Sequence, residues 1–137
     1  MPKILIIEDE ETIRRVLKKV LHQENKNYEI IEAVDGVDGV SKINSNKFDL
    51  ILCDIKMPKK DGIEVLRHVL KECPNTPTIM ISGHGELETA VESMRIGAFD
   101  YISKPPDLNR LLNSVRSALL NNNFINKGKV KSNKSNE

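Results

Sequence analysis

The stretch DLILCDIKMPKKDG, residues 49–62, sets an apolar run, Leu50-Ile51-Leu52-Cys53, directly against a carboxylate, Asp54. Continuous apolar runs are what strands covered on both faces look like. A charge at the end of such a strand costs free energy unless something pairs with it. Three other short stretches carry groups that can do so: Glu8-Asp9-Glu10-Glu11, Ser82-Gly83-His84-Gly85 and Ser103-Lys104-Pro105. Carboxylates crowded together raise one another's pKa unless a cation sits among them. A hard divalent ion such as Mg2+ takes oxygen ligands and keeps several waters. A metal, a lysine and a small hydroxyl around one carboxylate are the parts that phosphoryl transfer needs: charge on the phosphoryl oxygens is neutralised and the nucleophile is held in line.

Each group also has an ordinary explanation. Asp54 alone fits a strand-end cap, Glu8 to Glu11 fit the favourable first turn of a helix, Lys104 fits a solvated lysine and Ser82 a loop hydroxyl. What favours chemistry is their joint placement. Apolar runs and helical periodicities alternate five times along the chain. The runs are KILIIE (3–8), YEIIEA (28–33), DLILCD (49–54), PTIMIS (77–82) and FDYIS (99–103). Between them, Ile13, Val16, Leu17, Val20 and Leu21 keep the spacing of one helix face. Val37, Val40 and Ile43 mark a second helix, and Ile63, Leu66, Val69 and Leu70 a third, opened by a capping box at Asp61 and Glu64. Leu87, Ala90, Val91 and Met94 mark a fourth. Leu108, Leu111, Leu112, Val115 and Leu119 mark a fifth, with Asp107 as its cap.

Strict β–α alternation predicts an α/β sandwich of parallel strands joined by right-handed crossovers, with helices on both faces of the sheet. In such sheets ligands sit at the carboxyl ends of the strands, near the switch in strand order. All four candidate stretches fall at carboxyl ends. If the first and third strands are neighbours, Glu8, Asp9 and Asp54 share one pocket, and Lys104 and Ser82 close it.

Length and composition fit this reading. The 137 residues, 39% hydrophobic and 30% charged, suit one domain with a real core. No apolar stretch approaches the roughly 20 residues of a membrane span, and MPKILIIEDE lacks a signal-peptide layout, so a cytoplasmic protein is expected. Cys53 and Cys73 read as small core residues rather than as a disulfide or catalytic thiol. The net charge of +1 is uneven. Without residues 121–137, with four lysines and one glutamate, the remainder has 17 basic and 19 acidic residues, which is not a nucleic-acid-binding balance. The expected division is a domain over 1–120 and a polar, basic, disordered tail or linker over 121–137.

The motifs ILIIEDEETIRRVL, LILCDIKMPKKDGIEVL, TIMISGHG and GAFDYISKP occur in this order across residues 3 to about 120. With them the sequence resembles the response regulator receiver domain, the CheY-like phosphoacceptor module of bacterial two-component signalling. The resemblance implies a flavodoxin-like fold, a five-stranded parallel sheet in the order 2-1-3-4-5 with five helices on two faces. Carried over by position, Asp54 is the phosphorylated aspartate. Asp9 and Asp54 ligate Mg2+ (Mn2+ as a substitute), joined by the backbone carbonyl of Lys56 and by Glu8 through a water. Lys104 binds the phosphoryl oxygen beside a cis Lys104–Pro105 bond. Ser82 is the switch hydroxyl, Tyr101 the switch aromatic, and Lys56 and His84 tune the lifetime of the phosphorylated state.

The resemblance also implies a phosphoacceptor that assists its own phosphorylation and dephosphorylation, not a turnover enzyme. The implied partners are a sensor histidine kinase, a second copy across the helix 4/strand 5/helix 5 face, and an output domain or partner protein outside this chain. Neither direct nucleic-acid binding by this domain nor a membrane is implied. The block ISGHGELETAVESMRIGAFDYISKP is similar to receivers of nitrogen-regulation-type activators of the sigma-54 polymerase, which suggests control of transcription. The chain is then either a receiver excised from a longer regulator or a natural single-domain regulator. Pro106 stands where the family commonly has phenylalanine or another apolar residue.

Two other classes fit less well. A haloacid-dehalogenase-like phosphohydrolase also uses a strand-end aspartate, but it needs a second aspartate two positions on, where this chain has Lys56. A flavodoxin-like flavin binder cradles phosphate in a first loop rich in Ser, Thr and Gly. Here that loop reads EDEE and would repel the anion.

Overall fold

A computed structural model describes residues 1–83 and 87–131, with side chains described as far as Asn121. His84, and with it the lifetime role expected of it, lies outside the described residues. Five strands, β1 (Lys3–Ile7), β2 (Glu29–Ala33), β3 (Leu50–Asp54), β4 (Thr78–Ser82) and β5 (Asp100–Ser103), alternate with five helices. These are α1 (Glu11–Glu24), α2 (Gly36–Ser45), α3 (Gly62–Glu72), α4 (Leu87–Ile96) and α5 (Leu108–Lys131). The strands form one parallel sheet in the order β2-β1-β3-β4-β5. This is the parallel α/β sandwich expected from the β–α alternation, in the flavodoxin-like strand order that the resemblance implies.

The apolar runs have a direct cause. Every residue of β3 and β4 is buried, because helices cover both faces and the alternating side chains feed two cores. Leu5, Ile7, Ile51, Cys53 and Met80 pack under α2, α3 and α4 with Val65, Leu66, Val69 and Ala90. Ile4, Ile6, Leu50, Leu52, Ile79 and Ile81 pack on the other face with Leu17 and Leu21 of α1 and Leu111 and Val115 of α5. Each buried Val, Leu, Ile or Met among them contributes roughly 1.5–3 kcal/mol, so the strands form a rigid base for their carboxyl ends.

The helix caps follow the sequence. Asp61 accepts from Glu64 N at 3.0 Å, and Glu64 accepts from Asp61 N at 3.0 Å. Asp107 Oδ1 accepts from the backbone N–H of Asn109 and Arg110 at 3.0 and 3.2 Å. The helix faces depart from expectation at several positions. α4 packs down through Ala90 and Ser93, while Leu87, Val91 and Met94 point outward, Val91 with 46% of its surface exposed. Small residues let this helix lie close to the sheet, and Ser93 Oγ meets its own hydrogen-bonding need at Ala90 O, 2.7 Å away. Val16 and Val37 are likewise turned to solvent. The backbone of α5 is helical as far as Lys131.

Among the described residues no helix is long and apolar enough to cross a membrane. Both cysteines are free thiols, Cys53 buried and Cys73 half-buried.

Candidate functional site

β1 and β3 are neighbours, with Ile7 opposite Cys53. Their carboxyl ends therefore bring Glu8 and Asp9 beside Asp54. One carboxylate oxygen from each of these three residues lies within 4.8 Å of the others, a cluster able to hold a metal ion. Glu8 and Asp54 are almost wholly buried, at 1% and 2% exposure, and Asp9 is open to solvent.

Lys104 reaches into this cluster from the loop after β5. Its Nζ lies 3.2 Å from Asp54 Oδ2, 3.4 Å from Glu8 Oε1 and 3.8 Å from Glu10 Oε1. The loop is fixed by Lys104 N–H bonding Ser82 O at 2.7 Å, and the Lys104–Pro105 bond is cis as expected. Ser82 is buried at the end of β4, one residue past Ile81, the register partner of Asp54.

The electrostatics are those of a pocket short of positive charge. Burial, and then the neighbouring Asp54 charge, push the Glu8 pKa up to about 8. Burial also raises Asp54, with Lys104 pulling it partly back. Burial works against the Lys104 ammonium, but the charges of Glu8 and Asp54 outweigh it and hold its pKa above the ordinary lysine value. Glu8 Oε1 is buried and, apart from the Lys104 ammonium at 3.4 Å, has no hydrogen-bond partner among the described residues. A buried carboxylate oxygen facing two other carboxylates is what a bound cation would satisfy. The donor set is all oxygen and suits a hard divalent ion.

The loop from Ile55 to Asp61 carries Lys56, whose side chain is exposed, while Ile55 and Met57 on either side are buried in the core. Tyr101, on β5 opposite Met80, packs partly against the α2–α3–α4 core. Its carbonyl accepts from Arg110 Nη2 at 2.7 Å, and the same guanidinium meets Asp100 Oδ1 at 3.2 Å.

Two residues outside the sequence expectation belong to this site. Arg14 Nη1 donates to Glu8 O at 2.8 Å while its Nε meets Glu32 Oε1 at 3.0 Å, which clamps the turn carrying Glu8 and Asp9. Its partners come from two different strand ends, so no local spacing announces it. Asp35 at the start of α2 pairs with Lys59 of the β3–α3 loop at 3.5 Å, for the same reason without a local signal. A cavity of about 790 Å3 between the α2–β3 and α3–β4 loops is lined by none of the site residues. It lies at the amino ends of the strands, and the carboxylates mark the chemistry better than its volume does.

Residues 4–116 match the family described as the response regulator receiver domain. Response regulator ArlR of Staphylococcus saprophyticus is 38% identical over 119 residues, which are 87% of this chain and 53% of that protein. Regulatory protein AtoC of Escherichia coli is 38% identical over 117 residues, 85% of this chain and 25% of that one. The chain thus spans about half the length of the first relative and about a quarter of the second. Among solved structures, a response regulator receiver domain protein from Clostridium thermocellum superposes with a TM-score of 0.83 at 33% identity, covering 91% of this chain and 99% of that one. NtrX from Brucella abortus gives 0.84 at 34% identity, covering 92% of this chain and 29% of the other.

Proposed function

The chain belongs to the response regulator receiver domain family of two-component systems, and on that footing we propose that Asp54 is its phosphoacceptor, served by Mg2+ and Lys104. The observation that carries the reading is the convergence of Glu8, Asp9 and Asp54 around one cation-poor pocket, with the Lys104 ammonium 3.2 Å from Asp54.

The donor is the phosphohistidine of a sensor histidine kinase. An Asp54 carboxylate oxygen gives an electron pair to phosphorus while the P–N bond to the imidazole breaks. The imidazole nitrogen leaves with that bond's electrons and takes up a proton, and Asp54 becomes an acyl phosphate. Asp9, Asp54, the Lys56 carbonyl and Glu8 would hold the metal, Glu8 through a water. When bound, Mg2+ supplies the charge that neutralises the phosphoryl oxygens. Lys104 holds one of those oxygens and orients the group for in-line transfer. Hydrolysis ends the signal: water attacks phosphorus, the acyl oxygen–phosphorus bond breaks, and the carboxylate returns with release of inorganic phosphate.

The readout is a two-state switch. The Ser82 hydroxyl moves toward the new oxyanion, Tyr101 turns inward, and the α4–β5–α5 face changes. The exposed stripe Leu87, Val91 and Met94 on α4 supports homodimerisation across that face. Several relatives bear the name transcriptional regulatory protein, which supports an output on transcription through a domain or partner protein that is not part of these 137 residues.

Incubation with acetyl phosphate and Mg2+ tests the reading. The intact mass is expected to gain one phosphoryl group in wild type, and none in Asp54→Asn or in the presence of chelator. Equal labelling of Asp54→Asn would sink the assignment.

A further inference from the structure

The β3–α3 loop, residues 55–61, follows Asp54 directly and carries the Lys56 carbonyl. Its two ends are well fixed. Ile55 N–H bonds Ile81 O at 2.9 Å, Gly62 N–H bonds Ile55 O at 2.7 Å, and Asp61 is held in its capping box. Met57 next to Lys56 is seated in the core, but none of these anchors places the turn Pro58–Lys60 that follows. Lys60 N–H closes onto Pro58 O at 2.9 Å, and Lys59 between them has a left-handed φ of 70°. This small turn leans on another part of the molecule.

That support is the β2–α2 turn. A Cβ built on Gly36 would lie 1.9 Å from Lys60 O, 2.7 Å from Lys60 C and 2.8 Å from Lys60 Cβ. The nearest of these atoms are backbone, which cannot swing away as a side chain would. The neighbouring Asp35 carboxylate, only 13% exposed, meets Lys59 Nζ at 3.5 Å. The turn is itself stiff. Asp35 Oδ1 caps Asp38 N at 2.8 Å, Asp38 Oδ2 accepts from Val34 N at 2.9 Å, and Gly39 N–H bonds Asp35 O at 2.9 Å.

We propose that Gly36, assisted by the Asp35–Lys59 pair, is a positioning residue for the metal pocket: by letting Lys60 approach the α2 terminus, it sets where the loop presents the Lys56 carbonyl. The proposal rests on the reading of Glu8, Asp9, Asp54 and Lys56 as metal ligands. A methyl group at position 36 forces the turn and the loop apart by about 1 Å. The capped helix resists, so the loop moves. A ligand displaced by about 0.5 Å or more leaves productive geometry. Changes outside the direct ligands of metal sites commonly cost about 10- to 100-fold in affinity.

The experiment is calorimetric titration of Mg2+ into the full chain, wild type beside Gly36→Ala, Gly39→Ala, Asp35→Asn and Asp9→Asn. Gly39→Ala is the matched control, since its Cβ would meet the Ile7 side chain, at 2.6 Å from Cδ1, and not the loop. Gly36→Ala is expected to bind Mg2+ about tenfold more weakly, while Gly39→Ala keeps the wild-type affinity despite a lower melting temperature. In metal-free protein the Lys60 amide is expected to exchange faster in Gly36→Ala and not in Gly39→Ala. Asp35→Asn keeps an N-cap oxygen but removes the charge facing Lys59, and is expected to weaken binding about twofold. It keeps the proposal testable if Gly36→Ala does not fold. Wild-type affinity in a folded Gly36→Ala overturns the positioning role, and so does wild-type affinity in Asp35→Asn if Gly36→Ala is unfolded. Absence of Mg2+ binding by wild type, or undiminished binding by Asp9→Asn, overturns the metal reading and this proposal with it.

Discussion

The Lys104 ammonium lies 3.2 Å from Asp54 Oδ2, a partly buried head group reaching a buried strand-end carboxylate from a loop two strands away. The same nitrogen is 3.4 Å from Glu8 Oε1. One cation thus serves two buried carboxylates, with a third, Asp9, beside them. An incoming phosphoryl group brings more negative charge to a place where one ammonium already faces three carboxylates. That imbalance is the physical reason a divalent cation belongs in the proposed reaction.

The imbalance has a pH signature. Glu8 ionises near pH 8 in the folded protein and near 4.5 when unfolded. A raised carboxyl pKa means the folded state holds a proton that the unfolded state has released, so stability falls as pH rises between these values. In chelator, the melting temperature is expected to drop from pH 5 to pH 8, and Glu8→Gln is expected to flatten that slope. With Mg2+ the metal competes with the proton, so affinity rises with pH up to about 8. A melting temperature that rises over this range in chelator would contradict the sign.

Removing Lys104 leaves its two buried partners uncompensated. Lys104→Ala is expected to destabilise the metal-free protein at pH 8 on the order of 1–2 kcal/mol, less than a fully buried pair because the lysine keeps some solvent contact. The loss is expected to shrink at pH 5, where Glu8 is protonated. Urea unfolding at both pH values in chelator measures it, and equal losses would count against shared charge in the pocket.

The strands were legible because burial on both faces writes itself as unbroken apolar runs, and the carboxyl-end residues could be grouped from topology alone. Helix faces were less legible. Leu87, Val91 and Met94 have the spacing of a buried stripe, yet α4 seats itself on Ala90 and Ser93. Periodicity shows that a helix has an apolar side, not that the sheet is what it meets. Arg14 gave no signal because it ties the turn at Glu8 to Glu32 on another strand, and Asp35 and Gly36 gave none because they act on a loop more than twenty residues away. The 1% exposure of Glu8 was also hidden, since EDEE reads as a solvated acidic turn.

The outward stripe on α4 leads to a prediction about assembly. Val91→Asp is expected to leave phosphorylation and monomer stability close to wild type, since Val91 is half exposed, and to abolish dimerisation of the beryllofluoride-treated protein. Sedimentation velocity reads the outcome. A dimer persisting in the variant would move the interface elsewhere.

Lys56 is exposed on the loop that follows Asp54. A cationic side chain there can lie against the phosphoryl oxygens and obstruct the in-line water, and while protonated it has no lone pair to orient that water. Lys56→Ala is therefore expected to shorten the phosphorylated lifetime severalfold without preventing phosphorylation. Phosphate release from labelled protein in Mg2+ buffer measures it. Decay at the wild-type rate or slower would remove the shielding role.

The central claim, that Asp54 is where the phosphoryl group resides, is tested most directly by trapping the acyl phosphate. Borohydride delivers one hydride to the acyl carbon with expulsion of phosphate and a second to the resulting aldehyde, so after protonation a phosphorylated aspartate becomes homoserine while free carboxylates are untouched. After treatment with phosphodonor and Mg2+, peptide sequencing by mass spectrometry is expected to find homoserine at position 54 and at no other carboxylate. Homoserine at Asp9 or Glu8 with position 54 unchanged, or stable phosphate on His84 or Ser82 in place of an acyl phosphate, would contradict the account.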